Sequence, residues 1–135
     1  MKDKAQIIKE NRNLSGVYIF IHKESNKIYI GSSLNIGRRL YGYFSKYNLI
    51  KNKTMVICRA LLKYGHSQFS LGILEYCNSI DRIERENYYI NEFKPEYNVL
   101  TIAGLPPIYN KTNTIKRKMR LASRTAIKVS FKSLE

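Results

Sequence analysis

The stretch from Gly16 to Gly31 constrains this chain more than any other. Val17, Ile19 and Ile21 alternate with Tyr18, Phe20 and His22. Ile28 and Ile30 alternate with Lys27, Tyr29 and Gly31. A two-residue period rich in β-branched residues marks a strand on each arm. Lys23-Glu24-Ser25-Asn26 between the arms is turn chemistry. The stretch therefore reads as an antiparallel hairpin. If the five aliphatics share the core face, Tyr18 and Tyr29 must share the other. A turn over Lys23 to Asn26 sets Tyr18 opposite Gly31 and Phe20 opposite Tyr29. The expectation is an open spot beside two phenols, where a ligand backbone can come close to the glycine.

The rest of the chain must supply a core for this hairpin. Its 135 residues allow one small domain and a tail, and 44% hydrophobic content suffices for a packed interior. The expected organisation is a leader over 1–14, a domain over 15–105 and a basic tail over 106–135. A net charge of +14 calls for a polyanionic partner, nucleic acid before a membrane surface. No apolar run approaches the roughly 18 residues of a spanning helix. The opening residues lack a signal peptide's apolar centre, and Asp3 and Glu10 argue against a transit peptide. Cys58 and Cys77 have no second pair, so neither a zinc site nor a disulfide framework is expected. They read as reduced, buried packing residues. Abundant Ile, Asn, Lys and Tyr suit an AT-rich organellar or phage genome, with the mitochondrial matrix ahead of a phage or bacterial cytoplasm as location.

The remaining elements follow from periodicity. Met1 to Asn13 is polar, a leader or short helical turn. Ser32 and Ser33 are candidate N-caps for a helix whose stripe is Ile36, Leu40, Tyr43 and Tyr47. On that helix Arg38 points away from the stripe, and Arg39 lies on its flank, about 90° from the centre. A polar stretch, Asn48 to Lys53, leads to a helix over Thr54 to Tyr64 with Val56, Ala60 and Leu61 inward, stopped at Gly65. Phe69 to Tyr76 is a third strand, with Phe69, Leu71 and Ile73 on one face. A helix over Ile80 to Phe93 follows, with the stripe Ile83, Ile90 and Phe93 and Tyr89 alongside. Glu86 falls within that stripe. An ionised carboxylate there is costly unless a cation or hydrogen bonds meet it, so Glu86 is a candidate functional acid. The fold class is α/β in the α+β, sandwich-like sense. A small three-stranded antiparallel sheet is flanked by helices in the order β-β-α-α-β-α, with a basic C-terminal helix or tail.

These residues resemble the GIY-YIG endonuclease family, specifically its homing, group I intron-encoded type. Gly16-Val17-Tyr18 and Tyr29-Ile30-Gly31 look like the motif pair, ten residues separating the tyrosines. Arg39 stands ten after the second tyrosine, Glu86 lies in an acidic helix, and Asn98 follows in Tyr97-Asn98. The resemblance runs from Ser15 to about Asn98. It implies a phosphodiester hydrolase with Tyr18, Tyr29, Arg39, Glu86 and Asn98 as catalytic residues and Glu86 as the metal ligand. Gly31 and Tyr43 are expected to contact substrate. The implied cofactor is Mg²⁺ or Mn²⁺, with no small-molecule cofactor. The chain departs from many homing members at Tyr43, where they carry a histidine.

The residue types suit that chemistry. A divalent ion on one carboxylate supplies Lewis acidity and keeps most of its water. Arg39 offers an always-charged planar fork to a phosphate. Tyr18 is the phenol expected to relay the proton of the attacking water. A free phenol titrates near 10, so its pKa must be lowered to do so. Pro106-Pro107 marks a boundary, and from Lys111 onward eight positive charges face one negative. Lys116, Arg120 and Arg124 form an i, i+4 row beside Arg117, a basic helix suited to DNA phosphates. The partner expected is DNA, bound by a monomer or by a dimer formed on the DNA, with no membrane. Three readings stand: a homing-type endonuclease, a structure-selective repair-type module, and an inactive DNA- or RNA-binding remnant.

Overall fold

The computed structural model describes residues 3–98 and 132–133. The tail positions Lys116, Arg117, Arg120 and Arg124 lie outside them. The chain runs α1 (Lys4–Glu10), β1 (Gly16–His22), β2 (Ile28–Ser33), α2 (Ile36–Phe44), α3 (Lys46–Lys51), α4 (Val56–Tyr64), β3 (Phe69–Tyr76), α5 (Arg82–Phe93) and β4 (Lys132–Ser133). Short 3-10 turns occupy His66–Gln68, Ser79–Asp81 and Glu96–Asn98.

The hairpin forms in the expected register. Tyr18 pairs with Gly31 and Phe20 with Tyr29. Asn26 takes a left-handed φ of 60°, a conformation asparagine tolerates, and the chain reverses there. β3 adds antiparallel to the other side of β1, giving the three-stranded sheet β2-β1-β3, and the two residues of β4 extend it along β3. An irregularity between Val17 and Tyr18 shifts the β1–β3 register beside the first motif tyrosine.

Both faces of the sheet are covered. Val17, Ile19, Ile28, Ile30 and Leu74 pack with Phe93, and Ile21, Tyr89 and Ile90 border them, so the aliphatic face receives α5. The larger cluster lies on the tyrosine face. Tyr18, Phe20, Phe69, Leu71 and Ile73 meet Ile7 and Ile8 of α1, Ile36, Leu40 and Tyr43 of α2, and Ile57 and Leu61 of α4. This corrects the expectation of one core face. Aromatic residues bury as much apolar area as aliphatics do, so the face that alternation assigns to ligand is the better packed one.

Four further differences separate the expected elements from the observed ones. The segment expected as a polar leader buries Ile7 and Ile8, and each fully buried isoleucine contributes about 1.5–3 kcal/mol. Asn11 beyond α1 is fully buried too, donating from Nδ2 to the Ile7 carbonyl and accepting from the Tyr76 hydroxyl. The helix expected to run through Tyr47 ends at Phe44. Ser45 caps a new helix through its side chain, Leu49 is buried, and Tyr47 is 74% exposed. On α4 the buried set is Ile57, Cys58, Ala60 and Leu61, with Val56 only half-buried. On α5, Ile83 is 50% exposed and does not join the stripe.

Candidate active site

Tyr18 leaves the middle of β1 and is 1% exposed. Opposite it, the space over Gly31 is occupied by the Tyr18 ring itself. A Cβ at Gly31 would stand 2.5 Å from the Tyr18 hydroxyl and 2.6 Å from Cζ. The open spot expected there is therefore filled, and Gly31 is glycine because the ring lies across it.

The Tyr18 hydroxyl shares a 2.8 Å hydrogen bond with the Tyr43 hydroxyl. Tyr43, from α2, also packs edge-on against the Tyr29 ring, so three phenols meet with Tyr43 touching both of the others. Ring centroids lie 6.4 Å apart for Tyr18 and Tyr29, 5.8 Å for Tyr18 and Tyr43, and 6.5 Å for Tyr29 and Tyr43. His66 fixes the backbone beneath this hub, its Nε2 donating to the Tyr43 carbonyl at 2.7 Å. Burial holds all three phenols above the ordinary tyrosine pKa; the Tyr43 hydroxyl and the charge of Arg39 offset it in part at Tyr18 and Tyr29.

Arg39 projects from the exposed flank of α2, as helical spacing predicts, and its charge bears on Tyr18, Tyr29 and Glu86 alike. Glu86 leaves α5 half-buried, and loss of solvent raises its pKa. The polar groups of Ser32 and the charges of Arg82 and Arg39 oppose that rise. Its charge reaches Tyr18 and Tyr29 in turn. The sheet, α2 and α5 thus bring two motif tyrosines, one arginine and one acid to a common locality.

Asn98 has a different posting. Its Oδ1 accepts from the Ile30 N–H at 2.8 Å and its Nδ2 donates to the Ile30 carbonyl at 2.6 Å. Glu96 accepts from the Ile28 N–H at 3.1 Å. The two side chains continue the sheet past its β2 edge and hold the strand that carries Tyr29 and Gly31. Sequence reasoning passed over Arg82, Ser32 and Tyr43's place at the hub. Arg82 precedes Glu86 by four residues, a spacing that puts both on one helix face, and its Nη1 donates to Ser32 Oγ at 3.2 Å. A cleft of about 530 Å³ opens beside the cluster, with Ser33, Arg38, Arg39, Tyr43 and Arg82 in its wall.

Among the described residues no group of three or more His, Cys, Asp or Glu could hold a metal ion, and no helix is long and apolar enough to cross a membrane. Cys58 is buried and Cys77 half-buried, both as free thiols.

A buried phenol cluster, an arginine and one desolvated acid thus meet on an antiparallel sheet between helices, groups whose chemistry suits a phosphodiester substrate. Residues 14–98 match the family model of the GIY-YIG catalytic domain, and the chain belongs to that endonuclease family. It is 32% identical over 122 residues to a probable intron-encoded endonuclease bI1 of Neurospora crassa, covering 85% of this chain and 27% of that protein. UvrABC system protein C of Cytophaga hutchinsonii is 32% identical over 99 residues, covering 73% of this chain and 15% of that one. The chain thus spans less than a third of the length of either relative. The solved catalytic domain of the homing endonuclease I-TevI superposes with a TM-score of 0.52 at 30% identity, covering 66% of this chain and 98% of that domain. A mutant form of that domain matches with the same TM-score at 28% identity. The α+β fold expected from the sequence is the fold of that domain.

Proposed function

We propose that this chain cleaves DNA by hydrolysing phosphodiester bonds, as an intron-encoded endonuclease of the homing type that uses Mg²⁺ or Mn²⁺. The observation that carries this reading is that Arg39 of α2 and Glu86 of α5 lie near enough to the hairpin for their charges to bear on both Tyr18 and Tyr29.

Glu86 fits a divalent ion. It is an oxygen donor, partly stripped of water, and among the described residues it belongs to no group of three or more His, Cys, Asp or Glu that could cage an ion. A single carboxylate suits Mg²⁺, which keeps most of its waters and takes substrate phosphate as a further ligand. When bound, the ion supplies Lewis acidity and counter-charge at the leaving oxygen. Arg39, free of any ion pair among the described residues, sets its guanidinium against the phosphate. Tyr18 is too deeply buried to take a proton from bulk water. Its one outlet is the 2.8 Å bond to Tyr43, which lies in the cleft wall. Burial raises the Tyr18 pKa where a base would need it lowered, so Tyr18 is not poised as a base, and any proton it exchanges passes through the Tyr43 hydroxyl. Tyr43 holds the place where many homing members carry histidine and offers a neutral hydroxyl there. Asn98 acts through β2 as a positioning residue.

A single cleft of this kind makes one cut per encounter, so nicked circles precede linear products when supercoiled plasmid is incubated with Mg²⁺. Nicking is expected to stop with EDTA and to fall about a hundredfold or more in Glu86→Ala. Equal nicking by wild type and Glu86→Ala contradicts the proposal. Likeness to UvrABC system protein C supports a second reading, a structure-selective module. Faster cutting of branched than of linear duplexes favours that reading. The Neurospora relative and the AT-rich composition support an organellar or mobile-element origin, the mitochondrial matrix first.

A further inference from the structure

The cleft has an end that the hydrolytic reading leaves unused. From Arg39 and Tyr43 its wall continues to Gly42, Asn48 and Asn52, where α2 turns through Ser45 into α3. Gly42 lies inside the nine-residue α2, where glycine weakens a helix relative to alanine. Close approach of another backbone usually explains such a glycine. It does so at Gly37 of the same helix, where a Cβ would run into the Ile8 carbonyl and the backbone of Arg12. Nothing comparable meets Gly42. A Cβ there would find only the Asn48 Nδ2, at 3.9 Å, an ordinary contact. With no side chain at Gly42, the wall of the cleft is bare beside the Asn48 amide.

That amide is uncommitted. The Asn48 backbone N–H bonds Ser45 Oγ, and its carbonyl accepts from Asn52 Nδ2 at 2.8 Å. Its side chain has no hydrogen-bond partner among the described residues. An asparagine amide presents a donor beside an acceptor, the complement of adenine's N7 and exocyclic amine. Arg38 and Arg39 stand in the same wall as Tyr43. Arginines that bind phosphate position a strand, and the amide can then read a base edge.

We infer that Gly42 and Asn48 form a base-reading subsite for a nucleotide flanking the phosphate at Arg39, with an adenine edge as its preferred ligand; this rests on the nuclease reading above. The test is binding enrichment of a randomised duplex library in Ca²⁺, where affinity is read without cleavage. Wild type is compared with Asn48→Ala and Gly42→Leu. Leucine is a good helix former and the wall has room, so Gly42→Leu should melt no lower than wild type. Wild type is expected to enrich adenine at one position by about fivefold or more. Asn48→Ala should flatten that position alone, and Gly42→Leu should weaken all duplexes by about tenfold through occlusion of the cleft. A wild type without preference at any position, or an unchanged profile in Asn48→Ala, overturns the subsite. Plasmid nicking in Mg²⁺ is scored separately, so failure of the nuclease reading shows as absent nicking and failure of the subsite as an unaltered profile.

Discussion

Glu86 is an acid whose surroundings work against its charge, and that makes a prediction about stability. Burial raises its pKa, so the folded protein holds the proton more tightly than the unfolded chain does. Its contribution to stability is full below the unfolded value of about 4.3 and is lost as pH rises through the folded value. Glu86→Gln keeps the shape and removes the charge. In metal-free buffer at pH 7 the variant should melt above wild type, and the gap should close as pH falls toward 4. Thermal unfolding followed by circular dichroism across that range checks it, and identical melting throughout contradicts it. Single residues were legible in the sequence where one side of an element decided them. Arg39 lies on the flank that helical spacing gave it. Tyr43 was harder. Its place in the stripe was plain, but the hydroxyl contact with Tyr18 joins residues 25 apart, and local periodicity holds no record of that.

At the scale of elements, β2 is an edge strand with a substitute neighbour. Asn98 and Glu96 satisfy the outward N–H groups of Ile30 and Ile28, and Asn98 the Ile30 carbonyl as well. Asn98→Ala leaves both groups of Ile30 unpaired at the margin of a core, costing about 1–3 kcal/mol. Urea denaturation should show that loss, and cleavage should fall with it because Tyr29 and Gly31 lose their support. A stability unchanged within a few tenths of a kcal/mol would mean the edge holds without Asn98. The hairpin's register was readable because alternation and turn chemistry agree on it. Coverage of both sheet faces was not. A strand alternating aliphatic with aromatic residues reads as one core face and one other, yet each kind buries apolar area well. The helical break at Ser45 was also hidden, since a side-chain cap inside a continuous apolar pattern leaves the pattern intact.

For the whole molecule, charge sets the terms of binding. The chain carries 24 lysines and arginines against 10 acidic residues. Arg38, Arg39 and Arg82 in the cleft wall can each displace a counterion from DNA. Three such contacts predict a slope of about −3 for log affinity against log salt. Arg39→Ala should flatten the slope by about one, measured by fluorescence anisotropy between 50 and 200 mM salt. A slope near zero would remove phosphate contact from the account, and a slope well beyond −3 would mean that basic residues besides these three also touch phosphate. α1 shows why the outline of the molecule was harder to read than its centre. Two isoleucines in a polar frame signal little alone, and their burial depends on α2 and the sheet, which close over them from residues far along the chain.

The most direct measurement is paramagnetic broadening of the protein's NMR signals by Mn²⁺ in the presence of duplex DNA. The Ser32 amide and the ring signals of Tyr18 and Tyr29 should broaden first, those around the Glu75–Arg85 ion pair later, and Glu86→Gln should abolish the early losses. Broadening that centres on Glu75, or that survives unchanged in Glu86→Gln, would contradict a hydrolytic centre built on Glu86.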